Sequence, residues 1–430
     1  MLMGVAGIFE HHAAAVNLAR QQAAQASLAT LHVGDRDLFL TDTVLPYLER
    51  LRREAPIHYC PASEFGPYWS ITRYEDIKAI ELDWEHFSSE PSIVLFDGLE
   101  GRSDSMAEIR SFINMDPPQH TVQRRAVRPS VSPKQVREME DLIRTRAQSV
   151  LDSLPIGEEF DWVHSVSIEL TTQMLATLFR FPFEDRHKLT RWSDVATAVP
   201  GDGVIDSWDQ RASELKDCMQ TFLKIWDERA AAEPGFDLLS MLAHAPDTAD
   251  MNTRPYELLG NMILLIVGGN DTTRNSMTGG VLALNEYPQE YDKLRANLDL
   301  IPNMVDEIIR WQTPLAYMRR TVTQDVEYGG SKFKRGDKVV LWYLAANRDE
   351  SVFPDGDRLQ IDRPNAREQL AFGTGIHFCL GAHLGRLQLR VVWEEVMKRF
   401  SRVEVTAEPT RVRSNFVRGY SRLPVRLHPL

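Results

Sequence analysis

Between about residues 118 and 300, hydrophobic positions recur at three- and four-residue intervals, the spacing of amphipathic helices. The stretches 133–153, 163–181, 207–231 and 254–287 carry this period most plainly, and a charge-rich segment at 36–54 predicts a further helix ahead of them. Strand signals are few and scattered. YWSIT follows a Gly66-Pro67 turn, VEYGG and KFKRGDKVVLWYLA occupy the region from Val322 to Leu344, and short runs lie between 401 and 428. Helices dominate and the strands do not alternate with them. The expectation is a mainly α fold with small β-sheets, not a doubly wound α/β sheet. No internal repeat or low-complexity linker divides the chain. Residues 36–430 therefore read as a single domain, and residues 1–35 as a helical or disordered extension in which His11 and His12 are solvated.

Composition narrows the class. The 430 residues are 43% hydrophobic and 26% charged, enough for a large core, and a net charge of −12 argues against a nucleic-acid binder. Cys60, Cys218 and Cys379 are too few and too far apart for a disulfide framework, so a reducing, cytoplasmic setting is expected. Cys60 and Cys218 read as buried thiols. The longest nearly apolar run, Leu258 to Val267, is about half of the ~20 residues that span a bilayer. The N-terminus lacks the basic and apolar regions of a signal peptide.

The segment ELLGNMILLIVGGNDTTRNSMTGGVLALNEYP predicts a long, largely buried helix closed by Pro288. Gly268 and Gly269 interrupt it, each at a cost of about 1 kcal/mol against alanine. Glycines there serve either a helix crossing or the close approach of a flat ligand. A following threonine hydroxyl can bond back to Gly268 or Gly269 and bend the helix around a small ligand. Downstream, Glu307 and Arg310 stand three apart, the spacing of an ordinary surface pair. His120 and Arg124 lie four apart near a helix start, and Arg319-Arg320 follows an apolar LAYM. These cations suit either a solvated face or an anionic ligand group.

The densest chemistry is AFGTGIHFCLGAHLG, residues 371–385. His377, Cys379 and His383 are zinc-type ligands, but their spacings of two and four match no structural zinc pattern and no second CxxC accompanies them. Gly373-Thr-Gly375 lacks the third glycine of a dinucleotide loop. A tight glycine loop with one cysteine just ahead of a helix suits a thiolate ligand to haem iron.

FGTGIHFCLG resembles the haem-binding loop of the cytochrome P-450 family. GGNDTT is similar to that family's oxygen-activating turn, EIIR to its ExxR pair, and AANRDESVFPDGDRLQIDR to its meander, all in the family's order. The resemblance runs from about residue 36 to the end. It implies the cytochrome P-450 fold, with haem b buried between the long central helix and the helix after Cys379. Cys379 is then the proximal iron ligand. Phe372 packs beside it, and Gly381 joins the haem-binding residues. His120, Arg124, Arg320 and His377 face the haem propionates. Glu307 and Arg310 lock their helix to the meander. Gly268 and Gly269 leave room at the haem face, and Asp271 with Thr272 forms the acid–alcohol pair that delivers protons during oxygen activation.

SEFGPYWSITRYEDI, HFSSEPSI, LIVGGNDTTRNSMTGGVLALNE and PLAYMRRT further resemble the soluble bacterial terminal alkane and fatty-acid hydroxylases of that family. This implies an oxygen-dependent monooxygenase that hydroxylates the end carbon of medium-length chains. Hydroxylation of a steroid or terpenoid in the same fold is the alternative. Leu264, Val267, Leu315, Ala316 and Met318 are the implied pocket residues, joined by Val94, Leu95 and Phe416. Electrons are expected from a separate ferredoxin and its reductase, steered by Arg residues of the 120s helix and by Arg386, Arg390 or Lys398. The Asp271-Thr272 pair argues against a peroxide-driven enzyme and against a haem sensor or carrier without turnover.

Overall fold

The computed structural model describes residues 5–95 and 109–430. Its centre is the helix Pro255–Glu286, 32 residues long, which starts at a proline suited to a first turn. From Met277 to Leu284 every apolar side chain on it is buried. It packs against helices His187–Thr197, Glu169–Leu178, Trp208–Ala230, Ile301–Gln312 and Ala382–Arg399. Gly279 and Gly280 allow this closeness, since a Cβ at either would overlap Gln312 or Ile308 and Trp393.

A five-stranded sheet lies to one side in the order Ile57–Cys60, Tyr68–Ile71, Lys338–Leu341, Met318–Val322, Phe87–Ser88. All its pairings are antiparallel except that of Tyr68–Ile71 with Lys338–Leu341. The C-terminal strands Phe400–Val405 and Pro424–Pro429 pair with each other, and the latter with Glu159–Asp161. The mainly helical architecture with small sheets is therefore as the periodicity predicts. Cys60 and Cys218 are buried free thiols. No helix among the described residues is long and apolar enough to cross a membrane.

Some boundaries differ from the sequence pattern for local reasons. The expected 36–54 helix is two helices, Arg36–Leu40 and Leu45–Glu54. Between them Asp42 takes a left-handed φ of 54°, and its buried carboxylate is held by Arg411 at 2.7 Å and Arg418 at 3.0 Å. Residues 133–153 likewise form two helices, Pro133–Glu138 and Glu140–Asp152. The N-terminal helix Val5–Gln25 packs on Leu45–Glu54. His12 is not simply solvated: it sits 3.6 Å from the Asp42 carboxylate, and burial lowers its pKa. His11 is exposed and bonds Glu408.

The Glu307–Arg310 pair departs most from the surface reading that its spacing alone allows. Both side chains are wholly buried. Arg310 grips Glu307 with two bonds of 2.7 and 2.8 Å, and reaches the carbonyls of Asn347 and Gly356 at 2.6 Å and Arg358 at 2.9 Å. Arg363 closes on the same carboxylate at 3.1 Å, and the amide of Gln360 donates to it at 2.9 Å. Removing one partner of a buried ion cluster strands the others without water. Glu307→Ala is therefore expected to lower unfolding free energy by about 3–5 kcal/mol in a urea titration. Asp325→Ala, which breaks the exposed pair with Lys334, leaves the curve in place. Equal effects of the two substitutions would contradict this assignment.

Candidate active site

The cysteine loop is a short hairpin set by two glycines. Gly373 and Gly375 have φ of 65° and 63°, a region closed to most other residues. The Cys379 amide donates to the Phe372 carbonyl at 2.8 Å and closes the hairpin. Arg124 donates to the Phe378 carbonyl, and the Arg386 guanidinium lies 4.5 Å from the centre of the Phe372 ring. The helix that follows starts at Ala382. Burial pushes the Cys379 thiol up, against the pull of the Gly381 amide and the guanidiniums of Arg124 and Arg386. Burial wins in the protein alone, so coordination by a metal is what would hold the thiolate.

His377 and His383 do not converge with Cys379 on a common point. His383 is exposed, and no metal-holding group of His, Cys, Asp or Glu occurs among the described residues. His377 instead packs edge-to-face on His120, with ring centroids 4.4 Å apart. Neither nitrogen of either ring has a hydrogen-bond partner among the described residues, although all four are buried. Burial first, then nearby cations, pushes His120 down to about 4 and His377 to about 2. Arg320 and Arg124 are among the cations acting on His377. Two neutral imidazoles without partners beside two guanidiniums are a donor set waiting for acceptors. That arrangement fits the paired carboxylates of a haem.

The long helix runs unbroken through its glycine pair. A Cβ on Gly269 would come 2.9 Å from Leu175, so Gly269 serves a helix crossing. A Cβ on Gly268 would meet nothing within 4 Å. The Thr272 hydroxyl donates to the Gly268 carbonyl at 2.7 Å. Asp271 points elsewhere and is fully buried. One of its oxygens accepts from Ser193 at 3.1 Å, Asn270 at 3.2 Å and Arg274 at 2.9 Å, while the other has no partner among the described residues. Arg274 also pairs with Asp194 at 2.7 Å, and the Asp194 side chain is 31% exposed.

Of the apolar residues expected at the pocket, Leu264, Val267, Leu315, Met318, Val94 and Phe416 are half-exposed. Leu95 and Ala316 are fully buried, and pack with Val33, Tyr68 and Tyr317 rather than opening onto space. Three stretches are stitched together here. The Arg319 amide donates to Ile93 at 2.8 Å and the Ala316 amide to Phe416 at 2.9 Å. The cations expected to steer an acidic partner are mostly spoken for. Arg386 pairs with Asp306, Arg390 with Glu140 and Glu394, Lys398 with Glu395, and Arg125 with Asp247.

Sequence reasoning missed Arg363, Arg274, Asp194 and Glu81. The only signal for any of them was a place inside a motif: Arg363 ends the meander, and Arg274 follows the threonines by one residue. The open space at Gly268 makes a prediction. Gly268→Ala should stabilise the cofactor-free chain by up to about 1 kcal/mol in thermal unfolding and weaken its haem uptake. A destabilised chain, or unchanged uptake, would show that Gly268 is a packing residue.

Comparison with known proteins identifies the family. The Cytochrome P450 family model matches residues 202–419. The chain is 34% identical to linalool 8-monooxygenase of Pseudomonas putida over 403 residues, covering 91% of this chain and 98% of that protein. It is also 34% identical to the methyl-branched lipid omega-hydroxylase of Mycobacterium tuberculosis, covering 93% of this chain and 95% of that one. The solved structure of cytochrome P450-153 from Novosphingobium aromaticivorans superposes with a TM-score of 0.86 at 45% identity, covering 92% of this chain and 99% of that one. A cysteine hairpin, a buried ExxR cluster and a long central helix with a glycine pair thus sit in a chain about nine-tenths of which aligns with such enzymes: it belongs to the cytochrome P450 family of haem-thiolate monooxygenases.

Proposed function

We propose that this monooxygenase hydroxylates the terminal carbon of medium-length alkanes or fatty acids. The observation that carries this reading is the apolar character of the half-exposed residues beside Gly268 and Met318: Leu264, Val267, Leu315, Met318, Val94 and Phe416. Apolar side chains of this kind hold an aliphatic chain by shape and position rather than by hydrogen bonds. A terminal C–H bond is stronger than its neighbours, so selectivity for it requires that only the chain end reach the reacting centre. The likenesses to cytochrome P450-153 and to a methyl-branched lipid omega-hydroxylase support the same reading.

Cys379 would hold the iron of haem b, with His120, His377, Arg124 and Arg320 on its carboxylates. When bound, the haem supplies the redox chemistry by which one atom of dioxygen enters a C–H bond. The protein's own task is to manage protons. Asp271 is pushed up to about 6, first by burial and then by the nearby Asp194, against the pull of Arg274. A carboxyl poised near neutrality can accept and release a proton. Arg274 links it to Asp194, which meets solvent. Thr272, one residue on, offers a hydroxyl on the Gly268 side of the helix.

Electrons come from a separate ferredoxin, itself reduced by its reductase. The surface near the cysteine helix holds a cleft of about 310 Å³ lined by Arg137, Arg367, His383, Arg386 and Arg390 among others. Arg137 and Arg367 are exposed there, as are Lys134 on the same helix as Arg137 and Arg128 on the turn before it. These four, more than the internally paired Arg386, Arg390 and Lys398, would meet an acidic partner.

The likeness to linalool 8-monooxygenase favours a second reading, a terpenoid substrate. Titrating the haem-loaded enzyme with alkanes and fatty acids of increasing length, and with linalool, separates the two. The Soret shift from low to high spin is expected to peak near octane or decanoate. A shift with linalool and with no linear chain would discard the terminal-hydroxylase reading while leaving the family assignment intact.

A further inference from the structure

Glu81 plays no part in the reading above, yet it is buried beside the cysteine loop, with only 3% of its surface exposed. It sits in the last turn of helix Tyr74–Leu82. One carboxylate oxygen accepts from Arg320 at 3.1 Å and from the Tyr343 hydroxyl. The other accepts from the backbone amide of Thr374 at 2.9 Å. Four pieces of chain meet on this one group: the helix, the strand Met318–Val322, the turn Tyr343–Ala346 and the cysteine loop.

The loop is shaped for that approach. A Cβ on Gly375 would stand 2.9 Å from the Glu81 carbonyl oxygen, and one on Gly373 would stand 3.2 Å from the Tyr343 hydroxyl. Burying an ion pair of this kind gains little stability over a well-packed apolar pair. Its value lies in what it positions. Arg320 is also only 3% exposed, and its charge acts on His377, whose nitrogens lack partners. Glu81 thus gives a buried guanidinium a counter-charge before any ligand arrives.

We propose that Glu81 is the positioning residue of the haem carboxylate site, fixing Arg320 and the Thr374 amide so that Arg320 meets a haem propionate already oriented beside His120 and His377. This rests on the haem assignment made above. An arginine held on one side by a carboxylate has less rotamer freedom to lose when it grips a second anion, and so binds it more tightly.

The test is haem transfer to excess apomyoglobin from wild type, Glu81→Gln, Arg320→Gln and the double variant. Glu81→Gln keeps the shape and removes the charge, and is expected to speed haem loss about tenfold, which is 1.4 kcal/mol. In the Arg320→Gln background the same change should add little, because Glu81 acts through Arg320. A wild-type rate for Glu81→Gln, or an equal factor in both backgrounds, overturns the proposal. Should Glu81→Gln fail to fold, Glu81→Asp replaces it. Its carboxylate falls one methylene short of its partners, so faster loss is again expected, and a wild-type rate overturns the proposal. A thiolate-ligated haem spectrum in the starting proteins keeps the haem assignment standing, so that an unchanged rate counts against Glu81 alone.

Discussion

A buried guanidinium cannot be left without its carboxylate, and the site of this enzyme hangs on one such pair. Arg310 and Glu307 lie wholly out of water and satisfy each other through two short bonds. The remaining donors of Arg310 capture the carbonyl of Asn347. The side chain of Asn347 in turn accepts from the Leu370 amide at 2.7 Å. Gly373 donates to Leu370, and Cys379 to Phe372. Hydrogen bonds and the short peptide links between them thus connect the helix Ile301–Gln312 to the backbone of Cys379. The loop is precise because the cluster behind it admits no second arrangement at tolerable cost.

Against that rigid side stands a set of groups left deliberately unsatisfied. Gly268 borders open space, His120 and His377 have ring nitrogens without partners, and one Asp271 oxygen accepts nothing among the described residues. Each is unfavourable on its own terms. The packing that offsets them is elsewhere, in the continuous core around Trp162, Trp226 and Trp393. Unpartnered buried polar atoms also occur away from this place, as at the indole nitrogens of Trp162 and Trp226; what sets it apart is a pair of edge-to-face histidines, all four of whose ring nitrogens lack partners, close to Arg124 and Arg320.

Short-range motifs were legible in the sequence because their chemistry is local. The cysteine hairpin needs two left-handed glycines within three residues, the threonine back-bond spans one helical turn, and Glu307 and Arg310 face each other on one helix. What sequence could not supply is the identity of distant partners. Glu81 meets Arg320 across 239 positions, and Asp42 meets Arg418 across 376. Spacing gave Glu307–Arg310 the look of a surface pair, since periodicity carries no information on what covers a helix face. The break in the helix over residues 36–54 has the same origin: Asp42 turns because two arginines from the C-terminal end hold it. Cations counted as free for a partner also proved mostly engaged, because composition counts charges and not their pairings.

The central claim is that Cys379, held by this cluster, is the thiolate ligand of a haem. The measurement that tests it most directly is the carbon monoxide difference spectrum of the reduced protein, recorded for wild type and for Cys379→Ala after loading with haem. The account predicts the red-shifted Soret band of a thiolate-ligated haem in the wild type and its absence in the variant. The same band in Cys379→Ala, or a haem-loaded wild type that lacks it, would contradict the assignment.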